Sequence, residues 1–173
     1  MTQKELRNTI VQLLYTYLGG PKVVLSDQVM PESDYPFIYY QGVQQHIAGP
    51  YNVAQAPAGD AIQKTRTEHA QASFSFTACS MNRVGQDGAQ VMGDDEAMDL
   101  ADRAQGFFLF TGRQLLADRG IVVVSVENTQ PRSALDVDEV ARRYGFDILV
   151  RYERTDTRTV QTMGLPTTYI KEE

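Results

Sequence analysis

The chain has one cysteine, Cys79, no tryptophan, and two histidines, His46 and His69. A single thiol excludes an internal disulfide and a cysteine-built metal site, and it suits a reducing cytoplasm. Long apolar runs are missing: nowhere do about 18 apolar residues follow one another, the length a membrane helix needs. The opening MTQKELRN is polar and has no h-region of a signal peptide. Cations are in the minority, with 16 Lys and Arg against 22 Asp and Glu, a formal net charge of −6. Such a chain is poorly suited to gripping phosphate backbones, which takes clustered Lys and Arg. It can still surround nucleic acid without sticking to it.

Catalytic signatures are missing too. There is no Gly-rich phosphate loop closed by Lys-Ser or Lys-Thr, no G-x-G-x-x-G, no H-E-x-x-H and no G-x-S-x-G. His69 with Glu68 or Asp60 is the nearest approach to a metal or acid–base site. A metal site needs three or four ligands, so both histidines read better as polar residues at exposed strand ends. Cys79 falls on the polar phase of a strand and has no evident base to activate it. No catalytic residue, cofactor or metal is expected.

What is present is a single-domain length, 173 residues. A hydrophobic share of 42% and a charged share of 22% place it with ordinary globular chains. Thr2 and Glu5 have capping-box spacing, and Leu6, Ile10, Leu13, Leu14 and Tyr17 recur on one helical face before Gly19-Gly20-Pro21. A helix is therefore expected over 3–18. Residues 23–30 suggest a short strand and 31–34 a turn. Phe37–Val43 is aromatic and β-branched, hence strand. Its cluster Tyr35, Phe37, Tyr39 and Tyr40 is more in keeping with core and sheet surface than with a ligand cage.

In 69–78, Ala72, Phe74, Phe76 and Ala78 alternate with Ser73, Ser75 and Thr77, the period of a half-buried strand. Asp94, Asp95 and Glu96 open a helix expected to reach about Arg119, with Ala97, Ala101, Ala104, Phe108 and Leu115 as its inner stripe. Gly106 and Gly112 inside it suggest close packing against the sheet. The run IVVVSV, Ile121–Val126, reads as a central strand. Residues 135–144 read as a helical turn or a lead-in, Phe146–Tyr152 as a half-buried strand, 158–161 as a short outer strand and 162–173 as a tail. The fold class expected is α+β: a mixed or antiparallel sheet of about four strands, two helices on one face, and a long β-hairpin arm.

That arm is the segment 44–68, QQHIAGPYNVAQAPAGDAIQKTRTE, lying between two strands. A connection this long in a compact domain has a job or is disordered. Ile47, Tyr51, Val53 and Ile62 are spread along it, so it needs a surface to lie on, and a second copy of the protein can supply one. At ~3.3 Å per residue, a hairpin of about 20 residues reaches about 30 Å. Positive charge gathers near the C-terminal strand at Arg142, Arg143, Arg151, Arg154 and Arg158. It suits either a solvated edge that discourages stray pairing or an interface meeting an acidic neighbour. Asp94, Asp95, Glu96 and Asp99 cap and solubilise a helix end, and in a ring they can also face a negative passenger.

The layout resembles the neck and tail terminator, or tail-completion, proteins of tailed bacteriophages. The resemblance is carried by ELRNTIVQLLYTYL, YPFIYYQG, QASFSFTACS, DDEAMDLADRAQGFFLFTGRQLLADRGI and RRYGFDILVRYE, and spans roughly residues 3–155. It implies a subunit of a six-fold ring on the last ring of the tail tube. Such a ring stops tube growth and presents a surface to the head connector, and DNA passes through its lumen without specific binding. Contractile-tailed relatives also touch the sheath. The implied partners are thus further copies of the chain, the tail tube, the connector and the sheath, with no membrane. The implied location is the virion neck, after assembly in the host cytoplasm. On this reading Ile47, Tyr51, Val53, Ile62, Arg151 and Arg154 belong to a subunit interface, and Asp94, Asp95, Glu96 and Asp99 face the lumen. Two other readings stand beside it: a small enzyme or ligand-binding domain with 44–68 as a lid, and a head-completion or tail-tube protein.

Overall fold

The computed structural model describes residues 1–26, 35–85, 88–133 and 141–161. Helix α1 spans Gln3–Leu18 and starts on the expected capping box. The Glu5 backbone N–H donates to Thr2 Oγ1 at 3.2 Å, and the Thr2 N–H donates to Glu5 Oε2 at 2.8 Å. It ends at Gly19, whose φ of 72° is the left-handed conformation glycine adopts freely. Leu6, Ile10, Leu14 and Leu18 form its buried stripe, while Leu13 is only partly buried and Tyr17 is exposed.

The strands in chain order are β1 Lys22–Leu25, β2 Phe37–Ile47, β3 Tyr51–Ala58, β4 Ala61–Met81, β5 Arg83–Val84, β6 Gln90–Val91, β7 Ile121–Val126, β8 Gln130–Pro131 and β9 Ala141–Gln161. The main sheet runs β1-β2-β4-β9-β7, with β3 added to β4 and β8 added to β9. Among the described residues only β1 and β2 pair in parallel. The sheet therefore has seven strands rather than about four. The strands beyond four are β1, which the sequence only suggested, β3, which belongs to the expected hairpin arm and here joins the sheet through β4, and β8, two residues long. β3, the first third of β4 and the end of β9 have little core to bury, so their pairing leaves no hydrophobic trace. β4 and β9 are each 21 residues long and pair in unbroken register from Ala61↔Gln161 to Met81↔Ala141. β7, expected at the centre of the sheet, is its edge strand, with Val122 and Val124 exposed.

The second helical segment also departs from expectation. Helix α2 spans Gly93–Gly106, a π-helical turn covers Phe107–Thr111, and helix α3 covers Gly112–Ala117. A π turn carries one extra residue, so the inner face advances by one position. Ala97, Ala101, Ala104 and Phe108 are buried as expected, but beyond the turn Leu116 is buried in place of Leu115. The turn also buries Phe107 and Phe108 side by side. A Cβ on Gly112 would fall 2.4 Å from the Phe107 ring, so that glycine makes room within the helical layer and not against the sheet. Gly106 has nothing within 4 Å of such a position and makes no close contact.

Both helical segments cover one sheet face, where Phe74, Phe76, Phe146, Ile148, Val150 and Tyr152 point inward. Phe76 is the centre, with ring centroids 5.2 Å from Phe108 and 5.9 Å from Phe146. The opposite face carries Ser73, Ser75, Thr77 and the buried Cys79. There Arg132 donates to Thr77 Oγ1 at 3.0 Å and to Asp147 at 2.6 Å. Among the described residues no helix is long and apolar enough to cross a membrane. Residues 27–34, most of the segment 135–144 and the tail 162–173, all given a reading from sequence, lie outside the described residues.

Candidate functional site

Past the last core pair, Ala70↔Tyr152, the strands continue beyond the helices as a three-stranded ribbon. β4 residues 61–68 form its middle, β3 one side and β9 residues 154–161 the other. All eight residues of β3 are exposed. Eight residues at ~3.3 Å each make the ribbon about 26 Å long.

Directly opposed residues share a face, so the register sorts the ribbon into two unlike surfaces. One displays Tyr51, Val53, Gln55 and Pro57 from β3 beside Ile62, Lys64, Arg66 and Glu68 from β4. Arg154, Asp156, Arg158 and Val160 of β9 complete it. The other displays Asn52, Ala54, Ala56 and Ala58 beside Ala61, Gln63, Thr65 and Thr67, then Thr155, Thr157, Thr159 and Gln161, none of them ionisable. The charged face carries an open concavity of about 530 Å³ lined by Tyr51, Val53, Lys64, Arg66, Asp156 and Arg158, with Thr157 of the other face also reaching it.

The ribbon's base is fixed by a buried carboxylate. Gly49, between β2 and β3, approaches β4 so closely that a Cβ there would lie 1.9 Å from the His69 carbonyl oxygen. Its N–H donates to Glu68 Oε1 at 3.1 Å, and the His69 N–H donates to the Pro50 carbonyl at 3.0 Å. The Glu68 side chain has no accessible surface; Arg66 lies 3.0 Å from Oε2 and His46 Nε2 lies 3.4 Å from Oε1. The Gly49 N–H holds this carboxyl below the ordinary carboxylate value, against the upward push of burial, and Arg66 and His46 add to the effect. Arg66 also stacks over the Tyr51 ring at 4.6 Å. His69 is exposed, as expected of a polar residue at a strand end, whereas His46, also exposed, reaches the carboxylate. Among the described residues no group of three or more His, Cys, Asp or Glu could hold a metal.

Tyr51, Val53, Ile62 and Arg154 share the charged face, and Arg154 is paired with Asp156 at 3.2 Å. Ile47 and Arg151 lie on the opposite side of the sheet, both opposed to Gln71. The acidic group at the start of α2 divides by role. Glu96 is engaged at home: Arg83 reaches its two oxygens at 2.6 and 2.8 Å, and the Ser80 hydroxyl donates to it. The Arg83 hydrogen bonds hold the Glu96 carboxyl below its ordinary value, burial opposes them, and Ser80 assists. Asp94 accepts from the Tyr144 hydroxyl at 3.1 Å, whereas Asp95 and Asp99 are exposed.

A family model described as phage neck terminator protein matches residues 8–173. The chain belongs to this family. No curated protein matches the sequence. As a neck terminator the protein is a bacteriophage structural protein of the virion tail and neck. Sequence reasoning placed a short outer strand at 158–161 in this neck terminator and gathered Arg154 and Arg158 among the C-terminal cations, but it missed that β9 runs unbroken to Gln161 and aligns these cations with Lys64 and Arg66 of β4. A signal was there: Arg154, Asp156 and Arg158 alternate with Thr155, Thr157 and Thr159, and Lys64 and Arg66 alternate with Gln63, Thr65 and Thr67. A period of two made of charge and threonine marks a strand as clearly as one made of apolar residues.

Proposed function

We propose that the protein forms a hexameric ring that caps the tail tube, ends tail polymerisation and joins the tail to the head connector, with DNA passing through the lumen. The ribbon carries this reading. Its 24 residues of strand cover no core of their own, yet they keep Tyr51, Val53 and Val160 exposed on one face. A protrusion of that kind gains a function when it lies on a neighbouring molecule. Ribbon and docking surface are different patches of one chain, and such a heterologous contact closes into a ring when its rotation allows. The edge strand β7, with two exposed valines, gives the body a second surface open to partners. The tail tube, the connector and, in a contractile tail, the sheath are the partners this placement brings into reach. The acidic balance of the chain suits a lumen along which DNA slides. The role is structural and calls for no catalytic group.

Negative-stain electron microscopy of the concentrated protein, alone and added to isolated tail tubes, tests the reading. Closed six-fold rings with an open centre, free or at one end of a tube, are the expected result. Long stacks would favour a tube protein instead, and compact two-fold particles that ignore tubes would sink the ring.

A further inference from the structure

Lys64 and Arg158 stand directly opposite each other on the charged face of the ribbon. Like charges in that position repel. Their neighbours do not relieve them: Glu68 is engaged by Gly49, His46 and Arg66, and Asp156 by Arg154. Among the described residues neither Lys64 nor Arg158 has a carboxylate within ion-pair distance. Both line the same concavity as Tyr51 and Val53. A folded chain that keeps two such cations side by side, in a concavity shared with apolar groups, presents a receptor for an anionic surface.

The same chain displays a matching surface. Asp95, Asp99 and Asp102 recur at helical spacing along α2, all exposed, with the exposed Met98 among them. No described cation lies within ion-pair distance of these three carboxylates either. We infer that the Lys64–Arg158 face of the ribbon docks on the Asp95–Asp99–Asp102 stripe of α2 in a second copy of the chain. This inference rests on the ring reading above and deepens it. It assigns the α2 aspartates to the contact between subunits and not to the lumen. Charge complementarity with flanking apolar groups makes the contact specific and steers its formation. A nucleic acid is the weaker candidate for the same face, because Glu68, Asp156 and four apolar side chains share it with the cations.

Charge reversal in pairs is the test, read by mass photometry and sedimentation velocity. K64E/R158E and D99K/D102K are each expected to raise the concentration needed for assembly by about tenfold or more. An equimolar mixture of the two is expected to assemble again, because each ribbon then meets an α2 stripe of opposite sign. A single chain carrying all four changes is expected to assemble by itself. Circular dichroism of each variant checks that it folds. Rings from wild type that form equally well from K64E/R158E, or single variants that the mixture fails to rescue, overturn this docking and leave the ring standing. Wild type that stays monomeric at high concentration and on tail tubes overturns both. Loss of duplex-DNA binding in K64E/R158E with unchanged assembly would show the face to be a phosphate surface, and would also overturn the docking.

Discussion

Gly49 shows how much one missing side chain can fix. Its backbone meets the His69 carbonyl where no Cβ fits, and its N–H serves the buried Glu68 carboxylate. Gly49→Ala is expected to cost about 1–3 kcal/mol, the range for forced overpacking. Gly20→Ala, with open space around the added Cβ, is expected to stay within about 0.5 kcal/mol. Urea denaturation of the two variants measures the contrast. Glu68 and Glu96 add a pH dependence of definite sign. Both carboxyls are held below their ordinary value in the folded chain. The unfolded chain therefore binds their protons first as pH falls. Their contribution is present above the unfolded carboxylate pKa and is lost as pH drops through the depressed folded values. The urea midpoint of wild type is expected to fall between pH 5 and pH 3, on the scale of ordinary carboxyl titration. Glu96→Gln is expected to flatten part of that fall; an unchanged slope would remove Glu96 from the account.

Among the elements, the π turn and the ribbon carry the chain's departures from regular patterning. The turn puts Phe107 and Phe108 wholly inside and leaves Phe110 85% exposed. Phe108→Ala is expected to destabilise by about 3–5 kcal/mol, since its ring packs on Phe76, Phe107 and Phe146. Phe110→Ala is expected to stay within about 0.5 kcal/mol, and denaturation midpoints decide the matter. The ribbon is separable by design of its register. Tyr51 and Glu68 are direct partners, so replacing Asn52–Thr67 by Asn-Gly closes a two-residue hairpin at that pair. The shortened protein is expected to keep a cooperative thermal transition, because the core lies below Ala70 and Tyr152, and to lose ring formation. A shortened protein that assembles like wild type would remove the ribbon from assembly.

The whole molecule combines a net charge of −6 with a ribbon face on which four cations outnumber two carboxylates. On the ring reading proposed above, separating charge this way would let an acidic subunit attract its own kind while its net charge disfavours DNA. Fluorescence anisotropy is expected to show no measurable affinity for duplex DNA at about 150 mM salt, where surface charges are screened within ~8 Å. Saturable binding at that salt would mean that the ribbon face dominates the field and that free passage of DNA needs another explanation.

Local chemistry determined much of this fold in advance. The capping box of α1, its stop at Gly19, the inward alternation of β4 and β9 over the core, and the inner alanines of α2 each follow from rules acting within a few residues. The family, too, was legible in the order of those elements. Tertiary structure alone decided the rest. The π turn moved burial from Leu115 to Leu116 while placing both Phe107 and Phe108 inside, an arrangement no helical period encodes. β7 became an edge because strand order depends on distant pairing and not on how apolar a strand is. Lys64 met Arg158, and Glu68 met Gly49, only when residues about 94 and 19 positions apart were brought into register. Charge on a solvated strand leaves few constraints on its partner, so the ribbon face could be read only after the sheet had formed.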